Sequence, residues 1–368
     1  MKVGEVMKEI ILESLELKHR VYINNNLNRF HNILLENKIK DTDSIFIVTD
    51  KNIYSSYKHK MEQFINKNKY FVFVMDTGEE NKNINTVNKI YDFLIDNNAN
   101  RHSVLIAFGG GIVGDITGFV ASTYMRGIRF INIPTTLLAQ VDSSIGGKVG
   151  YNHREIKNLI GNFYNPVFVY VSTSFLKTLS EREFLNGLGE IIKYSLIREN
   201  DLAYFIEKNI KFILEREQDK LIHIVKECLS IKAAIVEEDF RDLGMRNSLN
   251  FGHTVGHAIE VNSNYRISHG EAVALGILVA LKLSEKKLKL DKNIYNNIVK
   301  LYKKLNLPLF YEVDNYKTFL YAIRHDKKNR DKIRFALLEE VGKVKVKVEV
   351  EENEIIKAIK ESIDREEK

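Results

Sequence analysis

VLIAFGGGIVGDITGFVASTYMRGIRFINIPTTLLAQVDSSIGGKVGYN, residues Val104–Asn152, is the stretch that decides the fold of this chain. Its first five residues form a short apolar run, which is typical of a buried strand. Three glycines (109–111) follow at once, and beyond Asp115 the pattern is that of an apolar helix. Glycine lets a backbone turn sharply near a ligand, and a helix N-terminus offers free N–H groups to a phosphate. The stretch therefore predicts a strand, a pyrophosphate-binding turn and a helix.

The three glycines Gly109, Gly111 and Gly114 satisfy the dinucleotide-binding pattern G-x-G-x-x-G. That pattern usually has an acidic residue about 20 positions later, which binds the ribose. Here the corresponding region, FINIP (130–134), contains no acid, whereas Asp50 closes an earlier apolar run, SIFIVT (44–49). We therefore expect a variant Rossmann-like domain that binds NAD, with the ribose partner upstream. The alternative is a glycine-rich turn without a ligand.

The composition is that of an ordinary chain long enough for two domains, with 368 residues, 44% hydrophobic and 28% charged. The net charge of +6 is mild, which suits a small anionic substrate and gives no reason to expect nucleic acid. Cys228 is the single cysteine, so an internal disulfide is excluded and a reducing compartment fits. The N-terminal residues lack the apolar core of a signal peptide, and no segment suits a membrane span. We expect a cytoplasmic protein without a membrane partner.

The first hundred residues alternate apolar runs (44–49, 70–75) with amphipathic stretches (54–66, 84–96). This order predicts a parallel sheet with right-handed crossovers, whose ligands gather at the carboxyl ends of the strands. From about Ser180 onward helical periodicity dominates, up to a hairpin-like pair at 334–338 and 344–350 and a charged terminal helix. We predict an α/β Rossmann-like N-terminal domain (residues 1–179), followed by a mainly α-helical C-terminal domain (residues 180–368) that binds metal and substrate.

Acidic and histidine side chains in the second half suggest a metal site. Glu190 and Lys193 lie three positions apart in GLGEIIKYSLI, His253 and His257 lie four apart in NFGHTVGHAIE, and His269 opens HGEAVALGILVAL. Two histidines and a carboxylate with one open position are a usual ligand set for catalytic zinc. Spacing alone favours His253 and His257 as the histidine pair. The alternative is that these histidines serve as capping or core residues.

Several long motifs resemble one family, in order and across most of the chain: GGGIVGD, YMRG, IPTTLLAQVDSSIGGKVGYN, KNLIGNFYNP, GEIIKYSLI, NFGHTVGHAIE, HGEAVALG and DKKN. The family is 3-dehydroquinate synthase, of the sugar phosphate cyclase superfamily. The resemblance implies a dehydroquinate synthase-like fold and a homodimeric enzyme that uses NAD and a divalent metal, usually zinc, with cobalt as an alternative. Such an enzyme converts 3-deoxy-D-arabino-heptulosonate 7-phosphate to 3-dehydroquinate and phosphate. The reaction comprises transient oxidation by NAD, phosphate elimination, re-reduction and an intramolecular aldol step.

The resemblance assigns the metal to Glu190, His253 and His269, which replaces the pair chosen by spacing and makes His257 a neighbouring catalytic group. It assigns NAD binding to Asp50, Asn52, Glu79, Lys82, Gly110, Gly111, Gly114, Asp115, Thr135, Thr136, Lys148, Lys157, Phe175 and Thr178. It assigns substrate binding and catalysis to Asp142, Lys148, Asn158, Lys193, Lys232, Arg246, Asn250 and one of Lys327 and Lys328. Within that set, Lys148, Lys193 and Asn158 are expected to bind the phosphate.

One further residue, Arg126, resembles an arginine that reaches the active site of the neighbouring subunit. Two positions depart from the family pattern. Gly189 stands where alanine is commoner, and Ser180 stands where proline is usual. Neither departure removes a functional group, so the expected chemistry is unchanged.

Other functions are compatible with parts of the pattern. Another sugar phosphate cyclase would share the NAD and metal apparatus, but Lys232, Arg246, Asn250 and His257 favour a carboxylated substrate. A metal-dependent polyol dehydrogenase would have less use for so many lysines, although lysines are by default solvated surface residues. A nucleotide-binding regulatory module is the non-enzymatic alternative.

Overall fold

The computed structural model describes residues 7–13, 18–65, 68–154, 156–199, 201–325 and 332–364. The chain divides into two compact units, Met1–Leu179 and Ser180–Lys368. Lys327 and Lys328, one of which the resemblance assigns to the substrate, lie outside the described residues. Across the described ranges, no helix combines the length and the apolar character that a membrane span requires.

The first unit is built on a seven-stranded sheet with the order β1-β2-β9-β6-β5-β3-β4. The strands of this unit are β1 (Lys8–Glu13), β2 (Lys18–Asn24), β3 (Ile45–Asp50), β4 (Tyr70–Met75), β5 (Val104–Gly109), β6 (Arg129–Pro134), β7 (Lys148–His153), β8 (Ile156–Phe163) and β9 (Phe168–Ser172). Its helices are α1 (Phe30–Glu36), α2 (Lys51–Phe64), α3 (Ile84–Asp96) and α4 (Gly111–Thr123). Among the described strands of this sheet, β1 alone pairs antiparallel, so the predicted α/β class is confirmed.

The direction of chain progression reverses between β3 and β5. The chain passes from β3 to its neighbour β4 on one side, and from β5 to its neighbour β6 on the other. In open α/β sheets, ligands bind in the crevice at the carboxyl ends of the strands at such a switch point. Asp50 ends β3 and Gly109 ends β5, so the two residues flank this position.

Side chains from both faces of the central strands are buried, which explains why these strands are continuous apolar runs. Ile47 and Ile106 pack in one core cluster together with residues of α1 and α2. Val48 and Leu105 pack in the other, together with residues of α3 and α4. The sheet is therefore covered by helices on both faces.

The hairpin of β7 and β8 is not predicted from the sequence, because its glycines interrupt any apolar alternation. Gly150 pairs with Gly161 across the two strands. A Cβ on either glycine would lie 2.4 Å from a backbone oxygen of the opposite strand. The glycines thus permit an unusually close approach of the two strands, and this hairpin carries Lys148 and Asn158.

The second unit is mainly helical, as predicted. Its helices are α5 (Glu181–Ile197), α6 (Leu202–Leu214), α7 (Gln218–Glu238), α8 (His253–Asn262), α9 (His269–Leu288), α10 (Lys292–Leu305), α11 (Tyr316–His325) and α12 (Glu352–Ser362). Strands β10 (Arg334–Glu340) and β11 (Lys343–Glu349) form the expected antiparallel hairpin. Ser180 caps α5, since its Oγ accepts a hydrogen bond from the backbone N–H of Glu183 at 3.3 Å. Serine at this position therefore starts the helix without proline.

Helix α9 packs against both α5 and α8 through glycine backbone. A Cβ on Gly276 of α9 would lie 2.0 Å from the carbonyl oxygen of Gly252, which precedes α8. A Cβ on Gly189 of α5 would lie 2.1 Å from the carbonyl oxygen of Gly270 in α9. Because neither obstacle is a flexible side chain, the packing of this chain requires glycine at both positions. This packing brings together the three helices that carry Glu190, His253 and His269.

The buried His19 of β2 makes the stability of the first unit dependent on pH. Its side chain is 3% exposed, neither ring nitrogen has a hydrogen-bond partner within the described part of the chain, and burial lowers its pKa to about 4. The unfolded chain therefore takes up this proton near pH 6.5, whereas the folded chain does so only near pH 4. We expect His19 to cost about 3 kcal/mol of folding stability as the pH falls across that window.

The comparison is between the parent and His19→Leu, by urea unfolding at several pH values between 7 and 4. As the pH falls, the unfolding free energy of the variant should rise relative to that of the parent. The difference reports His19 alone, because the other titrating groups are common to both proteins. A constant difference in unfolding free energy across the window would contradict the expectation.

Candidate functional site

A carboxylate and two imidazoles converge in the second unit, one from each of α5, α8 and α9. The Nε2 atom of His253 lies 3.3 Å from Oε1 of Glu190, and Nε2 of His269 lies 3.4 Å from the same oxygen. A tetrahedral metal with bonds of about 2.0–2.1 Å separates its ligand atoms by about 3.3–3.4 Å. The donor set and its spacing therefore fit a divalent metal with one position left for a substrate.

His269 also belongs to a second group of close ligand atoms, with His257 and Glu260. His253 and His257, the pair chosen by spacing, do not share a candidate metal group among the residues that the structure describes. Their rings are nearly perpendicular, with centroids 5.4 Å apart. The geometry thus supports the ligand set implied by the resemblance over the set chosen by spacing.

The charges around Glu190 are set by burial and by close partners. Burial lowers the pKa of His253 to about 3, so this imidazole is neutral at neutral pH. Burial also acts to lower the pKa of His269, but its hydrogen bonds to Glu190 and Glu260 outweigh burial and raise it to about 10. In the absence of a metal His269 is therefore protonated, and it must lose this proton to become a ligand. Lys193, which is 1% exposed, forms an ion pair with Oε2 of Glu190.

Basic residues assigned to the substrate are buried elsewhere in the second unit. Lys232 lies on α7, and Arg246 and Asn250 lie in the short helix Met245–Asn250. The guanidinium of Arg246 donates to the carbonyl oxygen of Phe240 at 2.6 Å. Asp239, which the sequence did not single out, organises this loop by accepting three backbone N–H groups. Burial acts to raise the pKa of Asp239, but these hydrogen bonds hold it below its ordinary value.

The glycine loop of the first unit ends β5 and begins α4. The backbone N–H of Thr135 donates to the carbonyl oxygen of Gly109 at 2.9 Å, which ties the loop to the end of β6. A Cβ on Gly110 would lie 3.1 Å from the methyl group of Thr136. Asp50 caps α2 through backbone N–H groups at 2.9 and 3.0 Å, and burial raises its pKa. The first turn of α4 begins at Gly111, directly after this loop, and a helix N-terminus of this kind can bind an anion.

A polar network joins four of the assigned residues and one that was missed. Nζ of the buried Lys82 contacts Asp115 Oδ2 and Asn158 Oδ1, each at 2.5 Å. Asn152 donates to Glu79 Oε1 at 2.8 Å and accepts the backbone N–H of Asn158 at 2.8 Å. Asn152 is the last residue of the stretch Val104–Asn152, but only the pairing of β7 with β8 reveals its role. The network fixes the hairpin against the edge of the sheet.

The remaining assignments in the first unit differ in how accessible the side chains are. Phe175 is 2% exposed and packs edge-on against Tyr57 and Phe108, so its ring is part of the core. Thr178 shares a hydrogen bond of 2.6 Å with the hydroxyl of Tyr57. The assignment of Phe175 to NAD stays a prediction. The other assigned side chains are exposed or half-buried: Asn52, Arg126, Asp142, Lys148 and Lys157.

Comparisons with known proteins cover nearly the whole chain. Residues 72–186 match the family model for the 3-dehydroquinate synthase N-terminal domain, and residues 187–329 match the model for the C-terminal domain. The chain is 55% identical over 359 residues to the 3-dehydroquinate synthase of Clostridium tetani, which covers 98% of this chain and 96% of that relative.

Two solved structures share the fold. One is 2-deoxy-scyllo-inosose synthase complexed with carbaglucose-6-phosphate, NAD+ and Co2+, with a TM-score of 0.87 and 26% identity, covering 97% of this chain and 100% of that one. The other is 2-epi-5-epi-valiolone synthase from Streptomyces hygroscopicus with NAD+ and Zn2+, with a TM-score of 0.85 and 24% identity, covering 95% and 98%.

Proposed function

This chain belongs to the 3-dehydroquinate synthase family, and we infer that it is a carbon–oxygen lyase of the shikimate pathway. It converts 3-deoxy-D-arabino-heptulosonate 7-phosphate to 3-dehydroquinate and phosphate, with NAD and a divalent metal as cofactors. The observation that carries the proposal is the convergence of His253 and His269 on one oxygen of Glu190. That oxygen and the two imidazoles supply the ligands that the chemistry needs.

A metal held by these three ligands would keep a coordination position for substrate oxygens. When bound, the metal supplies a Lewis acid that lowers the pKa of a coordinated hydroxyl, and NAD supplies a reversible hydride acceptor. Glu190, His253 and His269 would hold the metal, and His257 lies beside them, where its imidazole can accept or donate a proton. Zinc and cobalt both suit this donor set, and both occur in the related structures named above.

The basic residues would bind the anionic ends of the substrate. We assign Lys148, Lys193 and Asn158 to the phosphate, and Lys232 and Arg246 to the carboxylate and hydroxyl groups. Buried cations such as Lys232 and Arg246 favour an anionic ligand, because an opposite charge offsets the cost of their desolvation. A carboxylated sugar phosphate meets this requirement better than an uncharged polyol does.

We also propose that the enzyme is a cytoplasmic homodimer in which Arg126 serves the neighbouring subunit. Arg126 is exposed, and both it and Met125 have backbone conformations in the left-handed region, with φ of 67° and 50°. Such conformations are uncommon outside glycine and are often associated with function. These features support a role for Arg126 in the neighbouring subunit.

The stoichiometry of the reaction tests the proposed function. With the heptulosonate phosphate as substrate, we expect phosphate release to continue over many turnovers while NADH absorbance stays at the level of bound cofactor. Accumulation of one NADH per turnover would indicate a polyol dehydrogenase instead. Turnover of a different sugar phosphate, with none of the heptulosonate phosphate, would indicate another cyclase.

A further inference from the structure

We propose that Glu260 is a positioning residue that orients His269 and fixes its tautomer for metal binding. This inference rests on the proposed metal site. Glu260 lies on α8, seven positions after His253 and three after His257, so it shares the face that carries both histidines. Its side chain is 4% exposed, and Oε2 lies 3.3 Å from Nδ1 of His269. The two nitrogens of the His269 ring thus face two different carboxylates, Glu260 at Nδ1 and Glu190 at Nε2.

The chemistry of imidazole explains why this arrangement matters. A neutral imidazole carries a proton on one nitrogen and a lone pair on the other. A carboxylate that accepts from Nδ1–H keeps the lone pair on Nε2, directed at the position shared with Glu190 and His253. Carboxylates that accept from a liganding histidine also make it a stronger base toward the metal.

The second histidine of the set is held in the same way. Nδ1 of His253 lies 3.2 Å from the backbone carbonyl oxygen of Phe251, while its Nε2 faces Glu190. Both rings therefore present Nδ1 to a fixed acceptor and Nε2 to the same carboxylate oxygen. The acceptor for His253 is backbone, whereas the acceptor for His269 is a side chain that mutation can remove.

Glu260 is itself fixed at the end of α8. Its carbonyl oxygen accepts the backbone N–H of Tyr265 at 2.8 Å and the hydroxyl of Ser263 at 3.1 Å. These hydrogen bonds hold the backbone at the point where the carboxylate meets His269. The rival role, in which Glu260 is a metal ligand together with His257 and His269, would leave His253 and Glu190 without a function in the metal site.

The experiment measures zinc affinity in the metal-depleted full-length chain by competition with a chromophoric chelator, for the parent, Glu260→Ala and Glu260→Gln. We expect Glu260→Ala to weaken zinc binding about 10- to 100-fold. Glu260→Gln should weaken zinc binding less than Glu260→Ala does, because the amide oxygen still accepts from Nδ1–H. Some loss should remain, because the amide carries no charge. Glu260→Gln is nearly isosteric, so it keeps the test valid if the alanine variant does not fold. Each variant loaded with Co2+ should keep the absorption intensity of a tetrahedral site, because Glu260 is not itself a ligand.

Glu271→Gln is the matched control, because Glu271 lies two positions after His269 and bonds to Ser268 at the start of α9. It should lower stability without changing zinc affinity. Zinc affinity in both Glu260 variants within twofold of the parent would overturn the inference. So would a loss on His257→Ala with none on His253→Ala, since that result makes Glu260 a ligand. If the parent chain binds no zinc, the proposed metal site fails rather than the role of Glu260.

Discussion

His269→Ala should lower turnover on the order of 10³-fold or more, because a Lewis acid contributes several kcal/mol of transition-state stabilisation. The substitution removes one of the two imidazole nitrogens that lie 3.3–3.4 Å from Glu190 Oε1. The remaining carboxylate and imidazole are too few to hold a divalent metal tightly. NAD binding should be retained, since the residues assigned to NAD all lie in the first unit. Zinc affinity, turnover and NAD titration of the purified variant check the three parts of this prediction.

His223→Ala is the matched control for this substitution. His223 lies on α7 of the same unit, where its ring packs on Phe205 with centroids 4.1 Å apart, and it belongs to neither group of candidate metal ligands. Its loss removes an aromatic contact but no ligand, so zinc affinity should equal that of the parent. Parental zinc affinity and turnover in His269→Ala would refute the proposed ligand set.

Lys193→Met should destabilise the metal-free protein and make its stability depend more strongly on metal. Lys193 is buried and paired with Glu190, so its removal leaves a buried carboxylate with one cation fewer. Breaking such a pair costs about 3–5 kcal/mol. The lower end of that range applies here, because protonated His269 also faces Glu190. A bound divalent metal supplies the missing charge, so zinc should raise the melting temperature of the variant more than that of the parent.

Turnover should fall at the same time. The ammonium group of Lys193 is assigned to the phosphate, and a hydrogen bond to a charged group contributes about 1.5–3 kcal/mol, which corresponds to roughly 10- to 100-fold in rate. Thermal melts with and without zinc, together with phosphate-release assays, measure both effects.

Lys211→Met is the comparison for the Lys193 variant, because Lys211 forms an i, i+4 ion pair with Glu215 at 4.0 Å at an exposed position of the same unit. This control should lose no more than about 1 kcal/mol, with an unchanged response to zinc. If Lys193→Met matched the control in both stability and zinc response, the buried charge balance around Glu190 would be disproved.

Much of the fold could be predicted because its signals are local. The apolar runs predicted as strands at 44–49, 70–75 and 104–108 correspond to β3, β4 and β5 in the structure, and helices begin at Lys51, Ile84 and Gly111 after them. The β7–β8 hairpin could not be predicted, because the feature that allows it is the approach of Gly150 to Gly161 across two strands. The periodicity of neither strand carries that information.

The residues of the candidate site also divide into those that the sequence could reveal and those that it could not. The resemblance named Glu190, His253 and His269 as ligands, and the geometry supports this set. Glu260 could have been noticed, because it stands on the same helical face as the histidines. Asn152 and Asp239 could not, because their roles depend on hydrogen bonds to particular loops.

The sequence by itself determined the strand–glycine turn–helix of 104–123, the alternation that makes a parallel sheet, and the family, because each is written in residues close together along the chain. Only the tertiary structure decided which imidazoles face Glu190. Spacing along α8 places His253 beside His257, but the ring of His269 reaches the same carboxylate because α9 packs on α5 and α8 through glycine backbone. Helical periodicity describes one helix at a time, and a metal site made by three helices depends on how closely they approach.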